Sequence, residues 1–485
     1  MNDLYEIQTI YQQTHAKRIP LIKTIEADQN AIDLFQTVKA GTSRSFLLES
    51  SIKDRYSYMG YEPQYTIQYK NETLTIHDRL HDTKTHQKTT DPKQALQAMI
   101  DQQQTPNLYP FFCGGLVGYF AYESLRCSEP KLRFSKQTMF NDFDLAMYDT
   151  LIAYDHYEHK IHLISGIHTN DLETNYKKAQ KQIEELETKL HENEITQNSE
   201  PFTILEDFSL QFEKPAFIQN VTKAKQYIQE GDIFQVVLSN RMQAKVTGSL
   251  FSLYQRLRIQ NPSPYLFYAN MDDLELAGAS PETFIAVHDR QVMTYPLAGT
   301  RPRGKNEQED QQLEYELKHD PKEKAEHDML VDLGRNDLGK ICKNQTIHVS
   351  RYQDIVRFST LMHLASTIQG ELLESAHPLD ALFATLPAGT LSGAPKFRAC
   401  QIIQELEQSE RGIYGGAFGY IDFSQNLDFC IGIRLAYKKE DQLYIRSGAG
   451  IVADSDPERE FQECHIKASS ILQSIQKGAH YDLAH

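Results

Sequence analysis

GGLVGYFAYE at 114–123 and GGAFGYIDF at 415–423 carry one pattern, Gly-Gly-x-x-Gly-Tyr, in distant regions of a 485-residue chain. Both read as strands, with apolar and aromatic residues set among the glycines. Glycine weakens a strand interior and is kept where another backbone approaches closely. The two stretches therefore predict closely packed backbones at related places in the fold. No longer repeat accompanies them.

Outward from the first stretch the chain alternates short apolar runs with turns. RSFLLES (44–50), YTIQYKNETLTIHD (65–78) and TLIAYDHYEHKIHLIS (150–165) have the two-residue alternation of strands. The period then changes. Leu172, Tyr176, Ala179, Ile183, Leu186 and Leu190 step by four and three, which predicts an amphipathic helix. It runs into the polar HENEITQNSE (191–200), a linker that places a boundary near 191–212 and separates an N-terminal segment, residues 1–200, from a C-terminal domain, residues 213–485. Around the second stretch, strand-like LELAGASPETFIAV (274–287), LDFCIGIRLAYKK (427–439) and QLYIRSGAGIVAD (442–454) alternate with helix-like KAEHDMLVDLGRNDL (324–338) and APKFRACQIIQELEQ (394–408). Sheet interleaved with helix predicts a layered α+β or α/β domain.

Composition narrows the function. A net charge of −16 argues against nucleic acid or an anionic membrane as partner, but leaves room for a small anion in a local positive pocket. The six cysteines form no close pair, which suits a reducing compartment better than disulfides or a zinc site. The first residues lack the apolar core of a signal peptide, and no run approaches about 20 apolar residues. These features predict a soluble, cytoplasmic protein.

Two acidic pairs have the i, i+3 spacing that shares a helix face. Glu323 and Glu326 follow Asp320-Pro321, and Glu460 and Glu463 follow Asp456-Pro457, each a helix-starting pair. Spacing leaves two readings open: solvated first turns that complement a helix dipole, or four carboxylates around a hard cation such as Mg²⁺. Three glycine-bearing turns, PLAGT (296–300), PAGTLSGAPK (387–396) and SGAGIVADSD (447–456), expose backbone N–H groups able to cradle an anion, and none fits a P-loop or dinucleotide fingerprint. With Arg434 and Lys467 they begin to resemble an anion pocket. His363 sits in an apolar run, where a hydrogen-bonded core histidine is the default reading. Glu282 is a turn carboxylate or a general acid. Gln235 lies on a strand-like run and cannot act as a base.

These pieces occur together in a familiar order: GDIFQVVLSNR, SPE, PLAGTRPRG, EHDMLVDLGRNDLG, LPAGTLSGAPK, RGIYGGAFGYI and GAGIVADSDPEREFQE. In this the chain resembles the chorismate-utilising enzymes, and among them the anthranilate synthase large subunits. The resemblance is nearly continuous from about residue 215 and thinner before it. It implies an α+β fold in which two antiparallel β-sheets are sandwiched with helices outside. It implies a Mg²⁺-dependent lyase that turns chorismate and ammonia into anthranilate and pyruvate in tryptophan biosynthesis.

By the same resemblance, Glu326 and Glu463 ligate the metal, with Glu323 and Glu460 as their partners. Gly299 and Thr300 bind near the ring carboxylate. Tyr414, Arg434, Gly448, Ala449 and Gly450 hold the enolpyruvyl arm, and Lys467 adds an anion contact. Glu282 protonates the departing hydroxyl, Thr300 stands with it at the reacting ring, and His363 supports the aromatising loss of pyruvate. Leu47, Leu48, Glu49 and Ser50, completed by Pro262, Ser263, Pro264, Tyr265 and Phe267, form a tryptophan-binding element for feedback inhibition.

Two residues separate the relatives. Water-using members carry a lysine base where this chain has Gln235. Aminodeoxychorismate synthases carry a lysine nucleophile where it has Ala298. Both point to anthranilate, with aminodeoxychorismate synthase and a non-catalytic tryptophan sensor as alternatives. No cysteine stands in a glutaminase-like turn. The resemblance therefore implies a separate glutamine amidotransferase subunit that supplies ammonia within a hetero-oligomer.

Overall fold

A computed structural model of the protein describes residues 1–50, 55–134, 138–192, 202–358 and 361–476. Its strands form two large antiparallel sheets, one of 13 strands and one of 12. The sheets stack face to face. Between them lie Phe46, Tyr58, Phe112, Val117, Leu151, Phe267, Leu276, Phe418 and Leu435, all buried. The outer face of each sheet is covered by helices over its own core. An apolar residue on either face of a strand therefore finds a partner, so many strands are buried throughout instead of alternating.

The expected elements form where the patterns place them. The helix Leu172–Glu192 lies on the strand Lys160–His168, with Ala179, Ile183, Leu186 and Leu190 buried. The helix Pro321–Gly339 begins at Asp320, whose carboxylate accepts from the N–H groups of Lys322 and Glu323. The helix Pro457–Gln476 begins behind Asp456, which accepts from Arg459 N–H. Most of the polar stretch 191–200, read as a linker, lies outside the described residues.

Both sheets draw strands from each side of that linker. In the larger one the crossing is between Arg44–Glu49 and Tyr265–Met271, with Leu48 opposite Phe267. In the smaller one it is between Gly115–Phe120 and Ala417–Asp422. The two Gly-Gly-x-x-Gly-Tyr stretches therefore pair with each other, Gly118 directly opposite Gly419. A Cβ on Gly118 would stand 2.0 Å from the Asp144 carbonyl oxygen, and one on Gly419 2.0 Å from that of Asp428. Glycine is required because the outer neighbours press in on both strands. Among the described residues no helix is long and apolar enough to cross a membrane.

Candidate active site

At one end of the smaller sheet the strands Leu297–Pro302 and Leu361–Glu371 pair, with Thr300 opposite His363 and a bulge between Ala298 and Thr300. Gly299 occupies the bulge at φ 66°, a left-handed conformation that suits glycine. The bulge turns the Gly299 carbonyl toward His363, whose Nδ1 lies 3.0 Å from that oxygen and 3.1 Å from Thr300 Oγ1. Burial, with Arg434 and Lys467 nearby, pushes the His363 imidazole down to about 4. The ring is neutral at physiological pH.

Glu282 lies in the turn between Leu274–Ser280 and Thr283–His288 and is 6% exposed. Its Oε1 accepts from Thr390 Oγ1 at 3.1 Å and from Leu297 N–H at 3.4 Å. Burial raises its carboxyl to about 8, against the opposing pull of those two donors and of Lys467. A carboxyl of this kind is protonated at neutral pH and can act as an acid. Thr390 lies in a turn whose glycines suggested an anion cradle, and no sequence signal singled out its hydroxyl.

The third wall is the strand Gln442–Ile451 beside Gln235–Thr247, where Gly450 faces Val237 and Gly448 faces Ser239. A Cβ at Gly448 would come within 2.6 Å of the Tyr414 hydroxyl, and one at Gly450 within 2.7 Å of Gln235 Nε2. Lys467 Nζ donates to the Gly448 carbonyl at 3.1 Å and pairs with Glu463 at 2.6 Å. Lys467 also acts on Glu282 and His363, which places these groups in one region of the molecule.

Arg434 differs from the other interior arginines. Arg18, Arg44, Arg411 and Arg446 are buried, and each is paired with a carboxylate. Arg434, partly buried with φ 51°, makes no ion pair or hydrogen bond through its guanidinium among the described residues. Burial depresses its basicity and no nearby acid opposes this. The two arginines of PLAGTRPRG are in the opposite state: Arg301 is held by Asp320 and Glu323, and Arg303 by Asp310. Their charge is balanced inside the protein, whereas that of Arg434 is not.

The two acidic helices present their pairs to the same region. Burial and the like charges of Glu323 and Glu463 raise the Glu326 carboxyl, and burial with Glu463 raises that of Glu460. Each of three carboxylates already has a partner: Glu323 takes Arg301, Glu463 takes Lys467, and Glu326 accepts from Gln235 Nε2 at 2.8 Å. Among the described residues no three Asp, Glu, His or Cys side chains converge as a metal-binding group.

A second cavity lies between the sheets, about 410 Å³ counting the open space at its mouth and about 30 Å³ within. Leu48, Glu49, Pro264, Tyr265 and Phe267 of the predicted tryptophan-binding element line it, joined by Tyr56, Tyr58, Tyr420 and Asp428. Leu47, Ser50, Pro262 and Ser263 do not line it. Leu47 is turned to the helix side, and Ser263 bonds to the Asn261 and Ala279 carbonyls. Glu49 is the acid of the predicted tryptophan-binding element. Alternation along the strand turns it outward, where it accepts from Tyr254 at 2.5 Å and Arg258 at 2.9 and 3.0 Å. Asp428, which accepts from the Tyr265 hydroxyl at 2.6 Å, is the acid lining the cavity with its charge inward. It sits in an apolar run of the sequence, where nothing marked it.

The chain is similar to known proteins over nearly its whole length. Residues 44–473 match the model of the chorismate binding enzymes. The chain is 40% identical to anthranilate synthase component 1 of Acetivibrio thermocellus, over 95% of each chain. It is 39% identical to that of Bacillus subtilis (strain 168), over 94% of this chain and 92% of the other. The crystal structure of anthranilate synthase component I from Streptococcus pneumoniae TIGR4 superposes with a TM-score of 0.76 at 35% identity, covering 87% of this chain and 93% of that one. The menaquinone-specific isochorismate synthase MenF of Escherichia coli shares the fold, with a TM-score of 0.71 at 20% identity over 98% and 99% of the two chains. Matched over nearly its whole length in both sequence and fold, the chain belongs to the chorismate binding enzyme family.

Proposed function

We propose that this protein is the large subunit of an anthranilate synthase, converting chorismate and ammonia to anthranilate, pyruvate and water. Arg434 carries the reading. A largely desolvated guanidinium without a counter-charge favours an anionic ligand, because taking an unpaired charge out of water is costly. Chorismate brings two carboxylates.

Arg434, Tyr414 and the backbone of Gly448, Ala449 and Gly450 receive the enolpyruvyl carboxylate, with Lys467 beside them. Gly299 and Thr300 meet the ring carboxylate. Glu282, protonated, gives its proton to the ring hydroxyl, which leaves as water while ammonia adds to the ring. Neutral His363 then takes the ring proton as pyruvate departs and the ring becomes aromatic. Gln235 offers no base, and ammonia needs none, since it attacks with its own lone pair. Ala298 beside the Gly299 bulge removes the lysine that a covalent route would use, which disfavours an aminodeoxychorismate product.

Glu323, Glu326, Glu460 and Glu463 suit a hard divalent cation. All four supply oxygen, and beside the burial that mainly raises Glu326 and Glu460, the like charges of Glu323 and Glu463 add a repulsion that a cation would relieve. These carboxylates would hold Mg²⁺, which would supply positive charge to balance a substrate carboxylate. Arg301 pairs with Glu323 and Lys467 with Glu463.

Ammonia comes from a partner amidotransferase, so the enzyme is a cytoplasmic hetero-oligomer. All six thiols of this chain are pushed up by burial, the reverse of what a glutaminase nucleophile requires. The N-terminal segment, residues 1–200, supplies a regulatory wall, and the C-terminal domain, residues 213–485, the catalytic groups. The cavity between them takes tryptophan, its ring against Tyr56, Tyr58 and Phe267 and its ammonium toward Asp428.

The test is the fluorescence of the purified chain with chorismate, Mg²⁺ and an ammonium salt. A rising anthranilate signal, abolished by EDTA and suppressed by tryptophan, is expected. Tryptophan binding with no product would identify a sensor, and an aminated chorismate as final product would identify the aminodeoxychorismate reaction.

A further inference from the structure

Glu282 also borders a narrow cavity formed by Thr294, Leu330, Leu333, Asp337, Thr385 and Thr390, with room for about two water molecules. Asp337 lies near the end of the helix Pro321–Gly339 and is buried. Lys396 meets it at 2.5 Å and Lys340 at 3.2 Å, and Lys396 also donates to the Thr385 carbonyl at 2.8 Å. The Lys340 side chain is 55% exposed and borders an open surface groove with Lys93, Asp380 and Ala384. The polar groups thus run from solvent at Lys340, through Asp337, to the cavity. At the other end the Thr390 hydroxyl donates to Glu282 Oε1 and keeps lone pairs with which to accept from water.

A general acid that is almost fully buried must recover its proton once per turnover, and the cleft is filled by ligand while it does so. We propose that Asp337, acting through water in this cavity and the Thr390 hydroxyl, returns that proton to Glu282. This rests on the reading of Glu282 as the acid that protonates the departing hydroxyl. The protons balance: one leaves Glu282 in the water formed from the ring hydroxyl, and one enters from solvent at Lys340 and Asp337. Ammonia releases one to solvent as it becomes the ring amine. Asp337 does not touch substrate and is a positioning residue in this scheme.

The first turnover needs no reprotonation, which separates this role from a structural one. In stopped-flow fluorescence, Asp337→Asn is expected to make its first anthranilate at the wild-type rate within about twofold, then to turn over about tenfold more slowly. The trace would show a burst of one product per site. Leu333→Phe fills the cavity without touching the ion pairs and gives the same burst if Asp337→Asn fails to fold. Asp337→Glu restores steady turnover. A first turnover slowed as much as the later ones, or no change in either variant, overturns the proposal. Glu282→Gln tells the two levels apart. Activity in that variant sinks the acid assignment itself, whereas an inactive Glu282→Gln with no burst in the cavity variants sinks only the proton route.

Discussion

His363 Nδ1 stands 3.0 Å from the Gly299 carbonyl oxygen, and that contact sets the chemistry of the ring. A carbonyl only accepts, so Nδ1 carries the hydrogen and Nε2 keeps its lone pair. With the imidazole pushed down to about 4, Nε2 is a free base throughout the range from about pH 5 to 8. His363→Ala is expected to reduce anthranilate formation by about 10²- to 10³-fold. The aminated, non-aromatic intermediate should accumulate and be visible by mass spectrometry as chorismate plus ammonia less water. Anthranilate at an unchanged rate would remove His363 from the chemistry.

Glu282 should govern the alkaline side of the pH profile. Its carboxyl is raised to about 8, so the acid form dominates below that pH and activity falls above it. Glu282→Gln should remove that limb and lower kcat by about 10²- to 10⁴-fold. The same group affects stability. Its folded-state pKa lies above the unfolded value of 4.5, so its favourable contribution is full below about 4.5 and is lost as pH rises through about 8. Glu282→Gln should therefore lose less stability than wild type between about pH 5 and 9. Parallel denaturation curves for the two across that range would contradict the assignment.

Glu326→Gln and Glu463→Gln should each raise the Mg²⁺ concentration for half-maximal activity by about 10- to 100-fold. The maximal rate should be partly recovered at high metal. Titration of Mn²⁺ by electron paramagnetic resonance checks binding apart from turnover. Mn²⁺ bound equally well by both variants would place the metal elsewhere.

Asp428→Asn should retain activity with ammonium yet need at least about tenfold more tryptophan for inhibition, since a buried charge-assisted hydrogen bond to an ammonium is lost. Ser50→Phe, just beyond Leu48 and Glu49 at the seam, should lose inhibition in the same way by intruding on the cavity. Calorimetry with tryptophan measures both directly. Glu49→Gln should instead act through the Tyr254 and Arg258 contacts, lowering stability more than tryptophan affinity. Equal inhibition of wild type and Asp428→Asn would rule out Asp428 as the ammonium partner.

Local chemistry is what the sequence carried, and those features could be read from it. Periodicity placed the helix Leu172–Glu192. The stretches 324–338 and 394–408 read as helix-like and form Pro321–Gly339 and Lys396–Glu407, and the Asp-Pro pairs marked the starts of the two acidic helices. The glycines of PLAGT and SGAGI were legible as close approaches, because glycine is needed where a Cβ cannot fit. The expected turns, however, are strands, Leu297–Pro302 and Gln442–Ile451, since their pairing partners lie far away in sequence. The identities of Gln235 and Ala298 separated the candidate reactions before any geometry, since neither side chain can do a lysine's work.

Tertiary structure decided everything that depends on partners distant in sequence. It paired Gly118 with Gly419 and Leu48 with Phe267, so that the seams between the N-terminal segment and the C-terminal domain run through the middle of both sheets. It neutralised Arg301 and Arg303 and left Arg434 alone, a distinction invisible in sequence because all three are simply arginines. It turned Glu49 outward and Asp428 inward, because which face a strand residue takes depends on its register with neighbours, and one step reverses it. It also buried Glu282 beside Thr390, and that burial, not the residue type, makes a carboxyl an acid at neutral pH.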